Sequence, residues 1–237
     1  MKFIDGGVCA AQGFKAAGLH VGVKTHKLEK KDVALIVSDV DCSAAAVFTK
    51  NVVKAAPIHV DQLHLADGTA RAIIANSGNA NACAPHGEEN AEAECAAVAK
   101  ALGIPAGNVL VSSTGVIGQT LPVKVIEDAV PELVSLLESS AAASDSAAQA
   151  IMTTDTVKKE AAVETTVGGK TVRLGGIAKG SGMIHPNMAT MLLFITTDAK
   201  VEPAVLQDAL SSVVPATFNQ ISVDGDTSTN DTVLLLA

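Results

Sequence analysis

Short apolar runs closed by turn residues, spaced between stretches of helical period, set the tightest limit on what this chain can fold into. Residues 33–37 (VALIV), 72–75 (AIIA), 109–112 (VLVS) and 191–197 (MLLFITT) are too short for buried helices and rich in branched side chains, so they read as buried strands. Gly168-Gly169, between VETTV and KTVRL, predicts a two-residue hairpin. Residues 88–102 are rich in Ala and Glu and meet a stop at Gly103, which predicts a helix. After Pro122, Ile126, Val130, Leu133 and Leu137 fall on one face of a second helix, kinked at Pro131. Residues 144–152 and 203–214 also read as helices, and the Ala/Ser tract 139–146 as a turn between helices. Strands and helices alternate irregularly, with a hairpin among them. That pattern predicts an α/β (α+β) layered sandwich with a mixed sheet, not a regular doubly wound one.

Composition narrows the ligand. Only 2% of the 237 residues are aromatic, all of them Phe, which argues against a base-stacking platform or an aromatic sugar cleft. A formal charge of -8 argues against non-specific nucleic-acid binding. A small ligand is expected. The four cysteines lack C-x-x-C spacing and read as reduced core residues, with no metal site and no disulfide. The first residues, MKFIDGGVCAAQGFKAAG, contain no apolar signal segment, and no apolar run reaches membrane-spanning length; a cytoplasmic chain without a membrane partner is expected.

Three glycine-rich stretches are candidate sites. In 175–182 (GGIAKGSG) the lysine precedes the second glycine and a strand follows, which does not fit a phosphate loop; a flexible loop is the simpler reading. In 76–83 (NSGNANAC) three asparagines and a glycine can make an ordinary turn, or their amides can orient a ligand or a catalytic loop. In 112–118 (SSTGVIG), amides freed at a strand end beside a glycine can converge on an anionic oxygen, although most such glycines do not.

A fourth stretch, 179–194 (KGSGMIHPNMATMLLF), runs from a glycine-punctuated segment into a strand, with Thr190 at the junction behind the small Ala189. That arrangement suits an N-to-O acyl shift: the Thr190 hydroxyl attacks the Ala189 carbonyl, the ester hydrolyses, and Thr190 becomes an N-terminus. A free α-amine titrates near about 7.7 to 8.0, so it can act as base for its own hydroxyl.

With this junction the chain resembles the ornithine acetyltransferase family, the bifunctional glutamate N-acetyltransferases/amino-acid acetyltransferases of arginine biosynthesis. GGVCAAQGFKAAG, AAVFTKNVVKAAP, IIANSGNANAC, VLVSSTGVIGQTLP, IMTTDTVKK and FNQISVDGDTSTNDTVLLLA resemble family segments in family order, over essentially the whole chain. The resemblance implies a four-layer α-β-β-α sandwich, related in style to N-terminal-nucleophile hydrolases. Residues 1–189 would form an alpha piece and 190–237 the start of a beta piece, intertwined as one unit and pairing into a heterotetramer. It implies Thr190 as nucleophile and, after cleavage between Ala189 and Thr190, as amine base. Thr114 and Gly115 would form the oxyanion hole, and Thr153, Lys179 and Thr190 would bind substrate. The implied reaction is ping-pong: N2-acetylornithine passes its acetyl group to Thr190, ornithine leaves, and glutamate takes the acetyl group. No cofactor is implied; acetyl-CoA as a further acetyl donor is left open, since no nucleotide motif marks it.

Two features depart from the family pattern. Ala84-Pro85-His86-Gly87 stands where the family has a Thr-Gly start, which predicts a different local loop. Family members also continue well beyond TSTNDTVLLLA with further substrate-binding residues, so a sandwich truncated at its C-terminus is expected to leave strand edges and apolar surface uncovered. Two other readings stay open: an aminopeptidase or amidase of the same fold, and an uncut chain that only binds. His86 and His185 are assigned no role.

Overall fold

The computed structural model of the chain describes residues 1–25, 30–183 and 191–237; the expected cleavage pair Ala189 and Thr190 lies outside the described residues. The layering follows from one strand. The first half of β3 (Val33–Phe48) pairs antiparallel with β2 (Phe14–Leu19) and with β4 (Thr69–Asn79), and β4 runs parallel to β5 (Val109–Val116). The register shifts between Val37 and Cys42, and beyond this bulge β3 pairs antiparallel with β9 (Thr232–Leu236). From β9 a second sheet continues through β8 (Leu192–Thr197), β7 (Lys170–Lys179), β6 (Lys159–Val167) and β1 (Lys2–Ile4), with only the β8–β9 pair parallel. A bulge bends a strand locally, which lets β3 serve both sheets.

Side-chain alternation then assigns the faces. Ala34, Ile36, Ile73 and Leu110 of the first sheet meet Ala44, Ile177, Leu192, Phe194 and Leu234 of the second in a common core. Their neighbours Val33, Leu35, Ile74, Val109 and Val111 point the other way, onto α2 (Gly87–Leu102) and α3 (Val123–Ser135) through Cys95, Val98, Ile126, Val130 and Leu133. On the far side Ala45, Leu193, Val233 and Leu235 pack against Leu206 and Leu210 of α5 (Pro203–Val213). The result is the α-β-β-α sandwich that the resemblance implies. Phe194 is fully buried between the sheets, a position where truncation to alanine costs about 3–5 kcal/mol.

Several expectations are corrected. The tract 139–146 is not a turn: Ser140 caps α4 (Ala141–Ala150) by accepting the Ala143 N–H at 3.1 Å, and the alanines of α4 close the inter-sheet core. Gly175 and Gly176 are not in a flexible loop but within β7, because a Cβ at Gly175 would lie 1.8 Å from the Gly7 carbonyl oxygen. All four cysteines are free, but only Cys42 and Cys95 are buried; Cys83 is exposed and Cys9 partly so. The helix α1 (Ala56–His64) was not anticipated. The hairpin is as expected: Val167 pairs with Lys170 across Gly168 and Gly169, both at positive φ. Among the described residues no helix is long and apolar enough to cross a membrane.

Candidate active site

The site lies where β4, β5 and β7 end. β4 and β5 close on an irregularity in which Gly78 pairs with Gly115 and Asn79 faces both Thr114 and Val116. Only glycine fits there: φ at Gly115 is +140°, and a Cβ would come 2.3 Å from the Gly78 carbonyl carbon and 2.5 Å from the Asn79 nitrogen. This close crossing re-aims the main chain beside Thr114, which is itself buried.

β7 delivers Lys179 to the same point. Its Nζ donates to Thr114 Oγ1 at 2.9 Å, and the side chain is 4% exposed. Burial lowers the ammonium below the usual lysine range, while the charges of Asp155 and Asp231 oppose the shift. A hydroxyl that accepts from an ammonium keeps its own hydrogen free to turn elsewhere. Thr114 is thereby set up as a donor toward an oxygen in the cavity.

Asp155 joins the two expected substrate residues. Its Oδ2 accepts the Thr153 N–H at 3.2 Å, and its Oδ1 accepts the Gly180 N–H at 2.8 Å and the Lys159 ammonium at 2.5 Å. Burial alone would raise its carboxyl, but these donors outweigh it and hold the group below its ordinary value. Thr154 and Ser181 add a hydroxyl–hydroxyl bond of 2.6 Å between the same segments.

The asparagine stretch proves to orient a loop. Asn79 Nδ2 donates to the Gln119 and Thr120 carbonyls at 3.1 and 3.2 Å, its Oδ1 accepts the Asn81 N–H at 2.8 Å, and Asn76 Nδ2 donates to the Asn79 carbonyl at 2.9 Å. These bonds fix the chain that follows Gly115. Where the family's Thr-Gly start is replaced, His86 takes a left-handed φ of +58° and Gly87 opens α2.

Thr114, Gly115, Thr153 and Lys179 line one cavity of about 750 Å³, with Lys24 and Asn230 among the other polar residues and Val116, Ile117 and Met183 among the apolar ones. Lys24 and Lys179 are its charged residues, and no carboxylate lines it among the described residues. Such a lining suits a small molecule that brings its own carboxylate. Thr190, the expected nucleophile, lies outside the described residues, but its neighbour Met191 donates its N–H to Asp231 Oδ1 at 3.0 Å.

Sequence reasoning missed Lys24, Asp155, Asn230 and Asp231. Asn230 Nδ2 donates to the Ala80 carbonyl at 2.6 Å and to the Ser113 carbonyl at 2.8 Å, tying the entry of β9 to the ends of β4 and β5. The available signal was the run TSTND: consecutive polar residues leading straight into an apolar strand have to be buried with it.

Two facing sheets between helical layers, with a buried threonine–lysine pair at the strand ends, place the chain in a broad structural class. An aminopeptidase from Ochrobactrum anthropi, described as a variant of the Ntn hydrolase fold, superposes on the whole chain and 76% of its own length with a TM-score of 0.58; at 10% identity that likeness shows the fold alone. The chain itself belongs to the ArgJ family, whose model matches residues 15–237. It is 53% identical, over 99% of its length, to the chloroplastic arginine biosynthesis bifunctional protein ArgJ of Physcomitrium patens, and 49% identical over its full length to the ArgJ of Symbiobacterium thermophilum. It covers 45% and 59% of those proteins, so the chain spans about half the length of the curated relatives it matches. Among solved structures, ArgJ of Bacillus halodurans (42% identity, TM-score 0.73) and the ornithine acetyltransferase of Mycobacterium tuberculosis complexed with ornithine (36%, 0.72) each align with 81% of this chain and with 98% and 99% of their own chains.

Proposed function

We propose that the chain carries the acyl-transfer site of a self-cleaving acetyltransferase of arginine biosynthesis. The observation that carries this reading is the buried Lys179–Thr114 bond beside the Gly115 crossing, opening into a cavity with no carboxylate among its described lining residues.

Maturation begins when the Thr190 hydroxyl adds to the Ala189 carbonyl; the scissile C–N bond breaks, and water hydrolyses the resulting ester to leave Ala189 as a carboxylate and Thr190 with a free α-amine. The size of the solved relatives supports such a cut. The Bacillus halodurans chain is matched over 98% of its length by 81% of these 237 residues, so it is roughly 196 residues long, near the length of the piece 1–189 and far shorter than a whole ArgJ.

In the transfer reaction the Thr190 hydroxyl gives its proton to the α-amine and attacks the acetyl carbonyl of N2-acetylornithine. The oxyanion that forms takes hydrogen bonds from the Thr114 hydroxyl and the Gly115 amide, donors held in place before charge develops. Collapse returns the proton to the ornithine nitrogen, and ornithine leaves. The amine of glutamate then attacks the threonine ester; the bond from the acetyl carbon to the Thr190 oxygen breaks, the proton lost by the attacking amine returns through the α-amine to that oxygen, and N-acetylglutamate leaves. The ornithine bound by the tuberculosis relative fits this substrate class, and Lys179 with Thr153 supplies a cation and a hydroxyl for its amino-acid core.

Intact mass under denaturing conditions tests the first half of the reading. Two pieces that part between Ala189 and Thr190 are expected, with one uncut chain for Thr190→Ala, which should also lose transfer; turnover by that variant sinks the mechanism. Acetyl release to water in place of transfer to glutamate would make the protein a hydrolase.

A further inference from the structure

Asp155 lies between α4 and β6, and its carboxylate is fully buried. Oδ1 accepts the Gly180 N–H at 2.8 Å and the Lys159 ammonium at 2.5 Å, and Oδ2 accepts the Thr153 N–H at 3.2 Å. Two stretches remote in sequence are thereby joined, one carrying Thr153 and the other Lys179. The Thr154–Ser181 hydroxyl bond repeats the join one residue further along each. Donors that approach both oxygens require a carboxylate, since an asparagine has one accepting atom and would set its own N–H against another. The cavity is lined by Thr153, Thr154 and Lys179 but not by Asp155, so this side chain acts on a ligand only through them.

Asp155 also acts on the Lys179 charge. Burial draws the Lys179 ammonium below the usual lysine range; Asp155 and Asp231 oppose that shift, and Lys159 adds to it. Asp155 and Lys159 therefore have opposite effects on the same lysine, although they are bonded to each other. Lys179 itself donates to the Thr114 hydroxyl of β5, and Lys24 lines the same cavity. On the neighbouring elements Lys158 is paired with Asp145 of α4 and Glu160 of β6.

We propose that Asp155 is a positioning residue for substrate binding: it latches Thr153 to the segment of Lys179 and, against Lys159, keeps Lys179 an ammonium for the carboxylate of an amino-acid substrate. The inference rests on the acyl-transfer reading given above for its substrate class. The direction of the pH effect follows. Lys179 is charged at low pH and loses its charge as pH rises. Removing the Asp155 charge leaves Lys159 unopposed, so Lys179 becomes neutral at lower pH than in the wild type. Removing the Lys159 charge lets Lys179 stay charged to higher pH.

Ornithine is the probe, because its binding needs no acyl chemistry, and the protein used is the whole one that carries this chain. Calorimetry from pH 6 to 10 reads its affinity for the wild type, Asp155→Asn and Lys159→Gln, with kcat and KM for N2-acetylornithine read alongside and folding checked by thermal melting. The titrations of ornithine itself and of Asp231 are common to all three proteins. Asp155→Asn should bind ornithine about 10- to 100-fold more weakly at alkaline pH, the range for losing a hydrogen bond to a charged group, with affinity falling away at lower pH than in the wild type. Its KM should rise more than its kcat falls. In Lys159→Gln, altered at a half-exposed side chain whose ion pair contributes little to folding, affinity should fall away at higher pH than in the wild type. That variant carries the test should Asp155→Asn fail to fold. Limbs that coincide with the wild type, or that move the same way in both variants, overturn the inference, because a purely structural latch weakens binding equally at every pH. Opposite shifts in a protein that transfers no acetyl group overturn the acyl-transfer reading and leave the inference standing; a wild type that does not bind ornithine overturns both.

Discussion

Removing the Asn230 amide should loosen the site and weaken the fold together. In Asn230→Ala two buried carbonyls, of Ala80 and Ser113, lose a shared donor that reaches them at 2.6 and 2.8 Å. Each net hydrogen bond is worth about 0.5–1.5 kcal/mol, and each acceptor left dry adds up to about 1–3 kcal/mol. Because Asn230 borders the cavity, water can reach part of the vacated space, which places the expected loss at about 2–4 kcal/mol. For a chain of this length that is a drop of roughly 5–15 °C in melting temperature. The Ser113 carbonyl immediately precedes Thr114, so acyl-enzyme formation should slow as well. Thermal melting followed by circular dichroism, alongside single-turnover acetylation, reads both effects. A variant that melts within about 1 °C of wild type and acetylates at an unchanged rate would refute the claim that Asn230 braces the two strand ends.

Thr114→Ala is expected to slow acyl-enzyme formation by about one to three orders of magnitude with little change in substrate binding, checked by burst kinetics; an unchanged burst removes Thr114 from the oxyanion hole. A pH-dependent stability effect is expected at Glu94, fully buried on α2 with both carboxylate oxygens unpaired among the described residues. Burial, with help from the Glu127 charge, pushes its carboxyl to about 8 from an ordinary 4.5. Between those values the folded chain keeps a proton that the unfolded chain has lost, so stability falls as pH rises, by about 1.4 kcal/mol per unit. Glu94→Gln should flatten this slope, seen as a melting-temperature advantage over wild type that grows from pH 5.5 to 7.5; parallel curves would refute it.

Strands at 109–116 and 192–197, the helices after residues 86, 122 and 202, and the hairpin at Gly168-Gly169 were legible because each is specified by neighbours in sequence. The second half of β3 was not. Its residues Asp39-Val40-Asp41 break the apolar run, and the alanines beyond it gain their strand character from pairing with β9, almost two hundred residues away. The helix at 144–152 was legible, but the start of α4 was read as a turn because alanine and serine tolerate both states, and the close approach of α4 to Gly18 decides the matter. The same holds at the site. Thr114 and Gly115 looked like an ordinary strand end, and nothing local announces that Lys179 bonds to Thr114 across 65 positions. Only the family resemblance joined them, and it gave no role to Asn230 or Asp231, whose partners lie 150 and 40 positions away.

The strand order has a consequence for dilution. β8 lies between β7 and β9, and β9 lies between β8 and β3, so residues 192–236 are clasped on both sides by strands from the first part of the chain. While the backbone is continuous, unfolding is a one-molecule event and its midpoint is independent of concentration. Once the link between β7 and β8 is severed, the same clasp becomes an association of two polypeptides, and the folded state acquires a mass-action dependence that the uncut chain lacks. Maturation would then leave the architecture unchanged yet make its persistence a matter of how often two fragments meet.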